Sequence, residues 1–115
     1  MFTLDERVDM ARQVLADIPN VGVTGYSGIT IEYARAHGLQ LRPHTKTHKS
    51  PVLGARQLAH GAVGLTVAKV SEAEVMLASG VKDILIAYPV FGAAKMRRLV
   101  EVAKKARVKI GRAHV

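Results

Sequence analysis

Two amines, two imidazoles and a guanidinium fall within nine residues: Leu41, Arg42, Pro43, His44, Thr45, Lys46, Thr47, His48 and Lys49. A lysine attacks a carbonyl only as the free amine, and desolvation and neighbouring positive charge both penalise its ammonium form. A lysine in such a setting is a candidate for Schiff-base chemistry. In an extended segment, side chains at i and i+2 share a face. Arg42, His44 and Lys46 are therefore expected on one side, with Lys46 nearest the end, and Thr45 and Thr47 on the other. Two plainer readings compete. The cluster is a solvated loop in which His44 is a hydrogen-bonded structural histidine, or His44 and His48 form a His-x-x-x-His metal pair, which diverging rings at a strand end disfavour.

The elements that must position this run follow from periodicity. After residue 38, short extended runs alternate with amphipathic helices, the rhythm of βαβ units. Strands are expected over 39–47, 63–68 and 83–88, with a fourth starting at 107–110. The apolar succession Ile84, Leu85, Ile86, Ala87 suits a strand buried on both faces. A helix over 50–60 has Pro51 in its first turn and Gly61 past its end. Ser71 is expected to cap the next helix, with Glu74 completing a capping box and Gly80 as the stop. A helix over 92–106 puts Met96, Leu99, Val100 and Ala103 on one stripe and Lys95, Arg98, Glu101 and Lys105 outside. In a parallel barrel, the C-terminal strand ends form the functional face, which is where His44 and Lys46 fall. A parallel sheet ending at 110 leaves an open edge, so the chain reads as the front part of a larger barrel.

The first third is less regular. Leu4, Val8, Ala11, Val14, Leu15 and Ile18 recur at helical spacing before Pro19 and Asn20. Gly22, Gly25 and Gly28 give a GxxGxxG spacing without the Lys-Ser/Thr ending of a phosphate loop, and are read as a flexible turn. A second helix ends at His37 and Gly38.

Composition narrows the classes. With 115 residues, 49% hydrophobic letters and 23% charged ones, the chain is composed like a globular domain and not like a disordered one. No apolar run reaches the length of a membrane span, and Asp5 and Glu6 do not suit a signal peptide. The absence of cysteine excludes disulfides within this stretch and suits a reducing compartment, so a cytoplasmic setting is expected. The net charge of +8 is lopsided, since all but +1 of it lies from Lys95 onward. Such a basic helix and tail reads as a solvated face. Three tyrosines, two phenylalanines and no tryptophan make a poor base-stacking platform. A small basic nucleic-acid-binding domain is kept as the alternative from another class, although it leaves the PHTKTHK run unexplained.

The run RPHTKTHKSP, followed by RQLAHGAVGLTVAKVSEAEVMLASGVKDILIAYPV, closely resembles the D-threonine aldolase and D-serine dehydratase family, whose barrel is related to the N-terminal domain of alanine racemase. The resemblance covers roughly residues 32–106. It implies an α/β chain that is the truncated N-terminal part of a (β/α)8 barrel, and a lyase acting on D-hydroxy amino acids. It also implies pyridoxal 5'-phosphate carried on Lys46, with Lys49 as the rival amine. His44, Thr66, Lys69 and Tyr88 are the further cofactor-binding candidates that the resemblance suggests. A racemase-like activity stays open on the same scaffold. A homodimer is expected at full length, with no nucleic-acid or membrane partner, and the resemblance implies a divalent metal whose ligands lie in a C-terminal domain outside this chain. This stretch alone is expected to be inactive.

Two segments fall outside the resemblance. Residues 1–31 lack the family's usual opening strand and are read as an unmatched N-terminal segment, with a frame error or misjoin as one origin. Residues 109–115, Lys109 to Val115, correspond to a translation of the start of a common sequencing adapter and are expected to be a non-native tail.

Overall fold

In a computed structural model, which describes residues 1–111, the helical and extended segments alternate as the periodicity predicts. Helix α1 (Leu4–Val14) starts in a reciprocal cap: the Thr3 hydroxyl accepts the Glu6 N–H and the Glu6 carboxylate accepts the Thr3 N–H. That arrangement holds the Glu6 carboxyl below its ordinary range, chiefly through the backbone hydrogen bond at Thr3. No residue of α1 is buried. Its apolar positions recur at helical spacing, but Val8, Ala11 and Leu15 are only half-buried. Residues 21–27 have no regular structure, and α2 (Thr30–Ala36) follows, burying Ile31 and Ala34. Gly38, at φ 67°, takes the left-handed conformation that ends it.

Helix α3 (Pro51–Ala59) begins as expected, with the Ser50 hydroxyl accepting the Leu53 N–H and proline in the first turn. It leads into β1 (Leu65–Val67), α4 (Val70–Met76), one 3-10 turn (Leu77–Ser79), β2 (Asp83–Ile86), α5 (Ala93–Ala103) and β3 (Arg107–Ile110). The sheet is parallel in the order β1-β2-β3, with Leu65 beside Ile84 and Ile84 beside Val108. Leu65, Val67, Ile84 and Ile86 are fully buried. They pack with Val70, Ala73 and Met76 of α4 and with Leu99 and Val102 of α5. Burying these side chains is the main favourable term holding the unit together, at roughly 1.5–3 kcal/mol each.

Several boundaries differ from expectation for physical reasons. The segment 39–47 is not a full strand: it meets β1 through one parallel bridge, His44 to Thr66. It does run along β1, because Leu41 and Pro43 carbonyls accept the Val63 and Thr66 N–H groups. Only one side has a neighbour, and Pro43 has no N–H to give. Ser71 does not cap α4. Lys69 is the capping position, without a side-chain bond, and Glu74 pairs with Arg98 on α5 instead. On α5 the buried stripe is Leu99, Val102 and the following Ala106, while Met96 and Val100 face outward. The i, i+3, i+7 face was one step round from the expected one. Lys95, Arg98, Glu101 and Lys105 are exposed as expected.

Strand β3 continues through Lys109 and Ile110, the first residues of the expected tail. Backbone pairing is largely indifferent to side-chain identity, so the ladder does not bear on their origin. Arg112, Ala113, His114 and Val115 lie outside the described residues.

Candidate cofactor site

The lysine-bearing segment is anchored from below. Thr45 is 1% exposed, and both its N–H and its hydroxyl donate to the Thr66 carbonyl, at 2.8 and 3.2 Å. The chain then turns sharply, because the His48 and Lys49 N–H groups both donate to the Thr45 carbonyl, at 3.2 and 2.8 Å. Lys49 closes the turn at φ 48°, a left-handed conformation costly for a residue with a Cβ. Lys46 lies on this turn, exposed, and its N–H donates to Nδ1 of His44 at 3.2 Å. The alternation of faces thus holds up to Thr45, which points inward, and ends where the turn begins.

Register fixes what lies beside the turn. His44 is level with Thr66, and Thr66 with Leu85. The ladder ends at Val67 beside Ile86, so Lys69 and Tyr88 lie just past the C-terminal ends of β1 and β2, and the turn that bears Lys46 starts just past the His44 bridge. Lys69 and Tyr88 also line a cavity of about 220 Å³, with Ser71, Pro89, Lys95 and Arg98 on its walls. Lys46, His44 and Thr66 do not line that cavity. Thr66 is buried, and its hydroxyl donates to the Arg42 carbonyl at 3.5 Å, so it braces the strand end.

Arg42 leaves the group to which its spacing assigned it. Its guanidinium donates to the Asp83 carbonyl at 3.1 Å and to the Asp83 carboxylate at 2.7 Å, at the start of β2 and so at the opposite end of the sheet. It crosses Gly64, where a Cβ would collide with both the guanidinium and the Asp83 carbonyl. Lys109 reaches the other oxygen of Asp83 at 3.0 Å. Burial pushes the Asp83 carboxyl up, but the hydrogen bonds from Arg42 and Lys109 outweigh it and hold the group below its ordinary range. Glu74 is likewise held low, first by its hydrogen bond from Arg98.

His44 and His48 do not form a metal pair with free rings. Each has Nδ1 occupied by a backbone N–H, His44 from Lys46 and His48 from Ser50 at 3.0 Å. Nε2 of His48 is buried without a partner.

One residue escaped the sequence reading. Glu72 is only 7% exposed, and its carboxylate accepts the Ala68 N–H at 2.8 Å, immediately after β1. Its other oxygen lies 3.7 Å from Lys49 Nζ. The signal was present as an acid in the first turn of a helix directly after a strand, where it can reach back to the free N–H groups.

The solved structure of D-threonine aldolase from Filomicrobium marinum superposes with a TM-score of 0.66 at 42% identity, covering 70% of this chain and 22% of that one. D-threonine aldolase from an Arthrobacter species is 44% identical over 78 residues, 68% of this chain and 21% of that protein. The matched stretch of the chain belongs to the D-threonine aldolase family. It spans about a fifth of the length of these relatives. A D-threo-3-hydroxyaspartate dehydratase from Delftia is 52% identical over 52 residues, 45% of this chain and 14% of that protein. No family model matches. A different protein also matches: phosphopantetheine adenylyltransferase from Methylobacillus flagellatus is 55% identical over 38 residues, 33% of this chain and 24% of that protein.

Proposed function

We propose that this chain carries the cofactor-bearing start of a pyridoxal-phosphate-dependent lyase barrel, acting on D-3-hydroxy amino acids, with Lys46 as the amine that holds the cofactor. The observation that carries this reading is the setting of Lys46. It stands at the C-terminal edge of a parallel sheet, on a turn tied to β1 through buried Thr45, and no carboxylate among the described residues lies within 4.0 Å of its amine. Lys69 and Lys95 line a cavity past the ends of β1 and β2, and their charge suits an anionic aldehyde. When bound, pyridoxal phosphate supplies an electron sink for charge developing at the substrate Cα. Within this chain, Lys46 supplies the amine and a site for proton transfer once released, and His44 fixes its backbone. Thr45 keeps the turn in place, and Lys69 and Tyr88 form the rim.

The reaction class that the relatives favour is Cα–Cβ cleavage to an aldehyde and glycine. The dehydratase likeness supports water loss as the second reading, giving an oxoacid and ammonia. The divalent metal expected of the family is assigned to no residue here. The test is to incubate the chain with limiting pyridoxal phosphate, reduce with borohydride and map the labelled peptides. Label concentrated on Lys46 is expected; label spread evenly over the exposed lysines refutes the assignment.

We further propose that the first 38 or so residues come from a separate gene and contribute nothing to this site. The two matched lengths, 78 and 38 residues, together equal the 115-residue chain to within one residue. The aldolase motifs occupy the later part, which leaves the first third for the second match. Helix α1 has no buried residue, whereas α2, in the same stretch, buries Ile31 and Ala34, so only the α1 part of it lacks packing against the rest. The genomic DNA around the codons for residues 36–41 tests it: two separate loci are expected, and one uninterrupted reading frame refutes it.

A further inference from the structure

Glu72 is a buried carboxylate with no part in the proposed cofactor site. Its Oε2 is occupied by the Ala68 N–H at 2.8 Å, which leaves Oε1 facing Lys49 Nζ at 3.7 Å. Lys46 and Lys49 are three residues apart on one turn, and by type either could attack an aldehyde. Only one of them is claimed by an acid. An amine engaged in an ion pair must surrender both that contact and its proton before it can attack a carbonyl. Lys49 also sits in a left-handed backbone conformation, at φ 48°. Its N–H bond to the Thr45 carbonyl and its ion pair with Glu72 both hold it there.

We propose that Glu72 is a positioning residue that selects between the two amines: it sequesters Lys49 and leaves Lys46 as the reactive lysine. This rests on the assignment of Lys46 above. The geometry couples the selection to the fold, because the same carboxylate fastens the end of β1. The loop that carries the lysines and the helix that follows β1 are thereby held in one arrangement.

The test uses the whole chain, limiting pyridoxal phosphate with borohydride, and peptide mapping of Lys46, Lys49 and the remote Lys82 as reference. Glu72→Gln keeps an oxygen to accept the Ala68 N–H but removes the charge. Circular dichroism should be unchanged, and the Lys49 label relative to Lys82 should rise about three-fold or more, in keeping with loss of a partly exposed ion pair. An unchanged Lys49 to Lys82 ratio in folded Glu72→Gln overturns the proposal. A proportional rise at all three lysines also overturns it, since that signals general loosening. If the wild-type chain fails to favour Lys46 while Lys49 still responds to Glu72→Gln, the cofactor assignment fails and the hold of Glu72 on Lys49 stands.

Discussion

Replacing Arg42 with alanine separates a structural cation from a catalytic one. In the extended reading, Arg42 shares the reactive face with Lys46; in the structure it spans to Asp83 at the other end of the sheet. Two hydrogen bonds are lost, one to a carboxylate and one to a backbone carbonyl. Bonds involving a charged group are worth about 1.5–3 kcal/mol each when protected from water. Here the pair is about one-fifth exposed on each side, and Lys109 remains to neutralise Asp83. The net cost of Arg42→Ala is therefore expected near 2 kcal/mol, a fall in thermal midpoint of roughly 10 °C for a unit of this size. Lys109→Ala removes the more exposed partner and should cost at most about 1 kcal/mol. Urea and thermal unfolding followed by circular dichroism measure both. The pH dependence has a definite sign. Because the folded Asp83 carboxyl is held low, its contribution is present above the unfolded value of about 3.9 and is lost as pH falls through the folded value. The difference between wild type and Arg42→Ala should therefore shrink as pH falls below about 4. Equal costs for the two variants, or a gap that widens in acid, would refute the reasoning.

Gly64→Ala should destabilise the unit by about 2 kcal/mol or more, since the new Cβ meets the rigid Asp83 carbonyl as well as the guanidinium; a neutral result in urea denaturation would contradict the packing described. Deleting residues 1–20 should leave the unfolding midpoint of the rest within about 0.5 kcal/mol, because α1 buries nothing; a loss above about 1 kcal/mol would show that α1 supports the sheet. Lys46→Ala should abolish the preferred pyridoxal phosphate label and Lys49→Ala should keep it, read by peptide mapping; the reverse pattern would move the assignment to Lys49.

Much of the architecture was legible locally. Ser50 and Pro51 start α3 because a hydroxyl and a residue without N–H suit a helix entrance, and the apolar succession at 84–86 forms the central strand, although only the Ile84 and Ile86 face is fully buried and Leu85 is half-buried. The PHTKTHK run singled out Lys46 by chemistry, and the structure keeps it at the sheet's C-terminal edge. Other features depend on partners distant in sequence. Which face of α5 is buried was decided by where α4 and the sheet lie, so Val102 displaced Met96. Arg42 was drawn from the reactive face by an aspartate 41 residues away, across a glycine that leaves room for it. Glu74 was drawn out of a local cap by Arg98, and Glu72 took up the strand end and the second lysine. Residue type and spacing fix which groups are available and the local turns they favour, because those depend on near neighbours. Which charge meets which depends on the register of β1 against β2 and on the packing of α4 and α5. Long-range contacts set those, and they encode no local period.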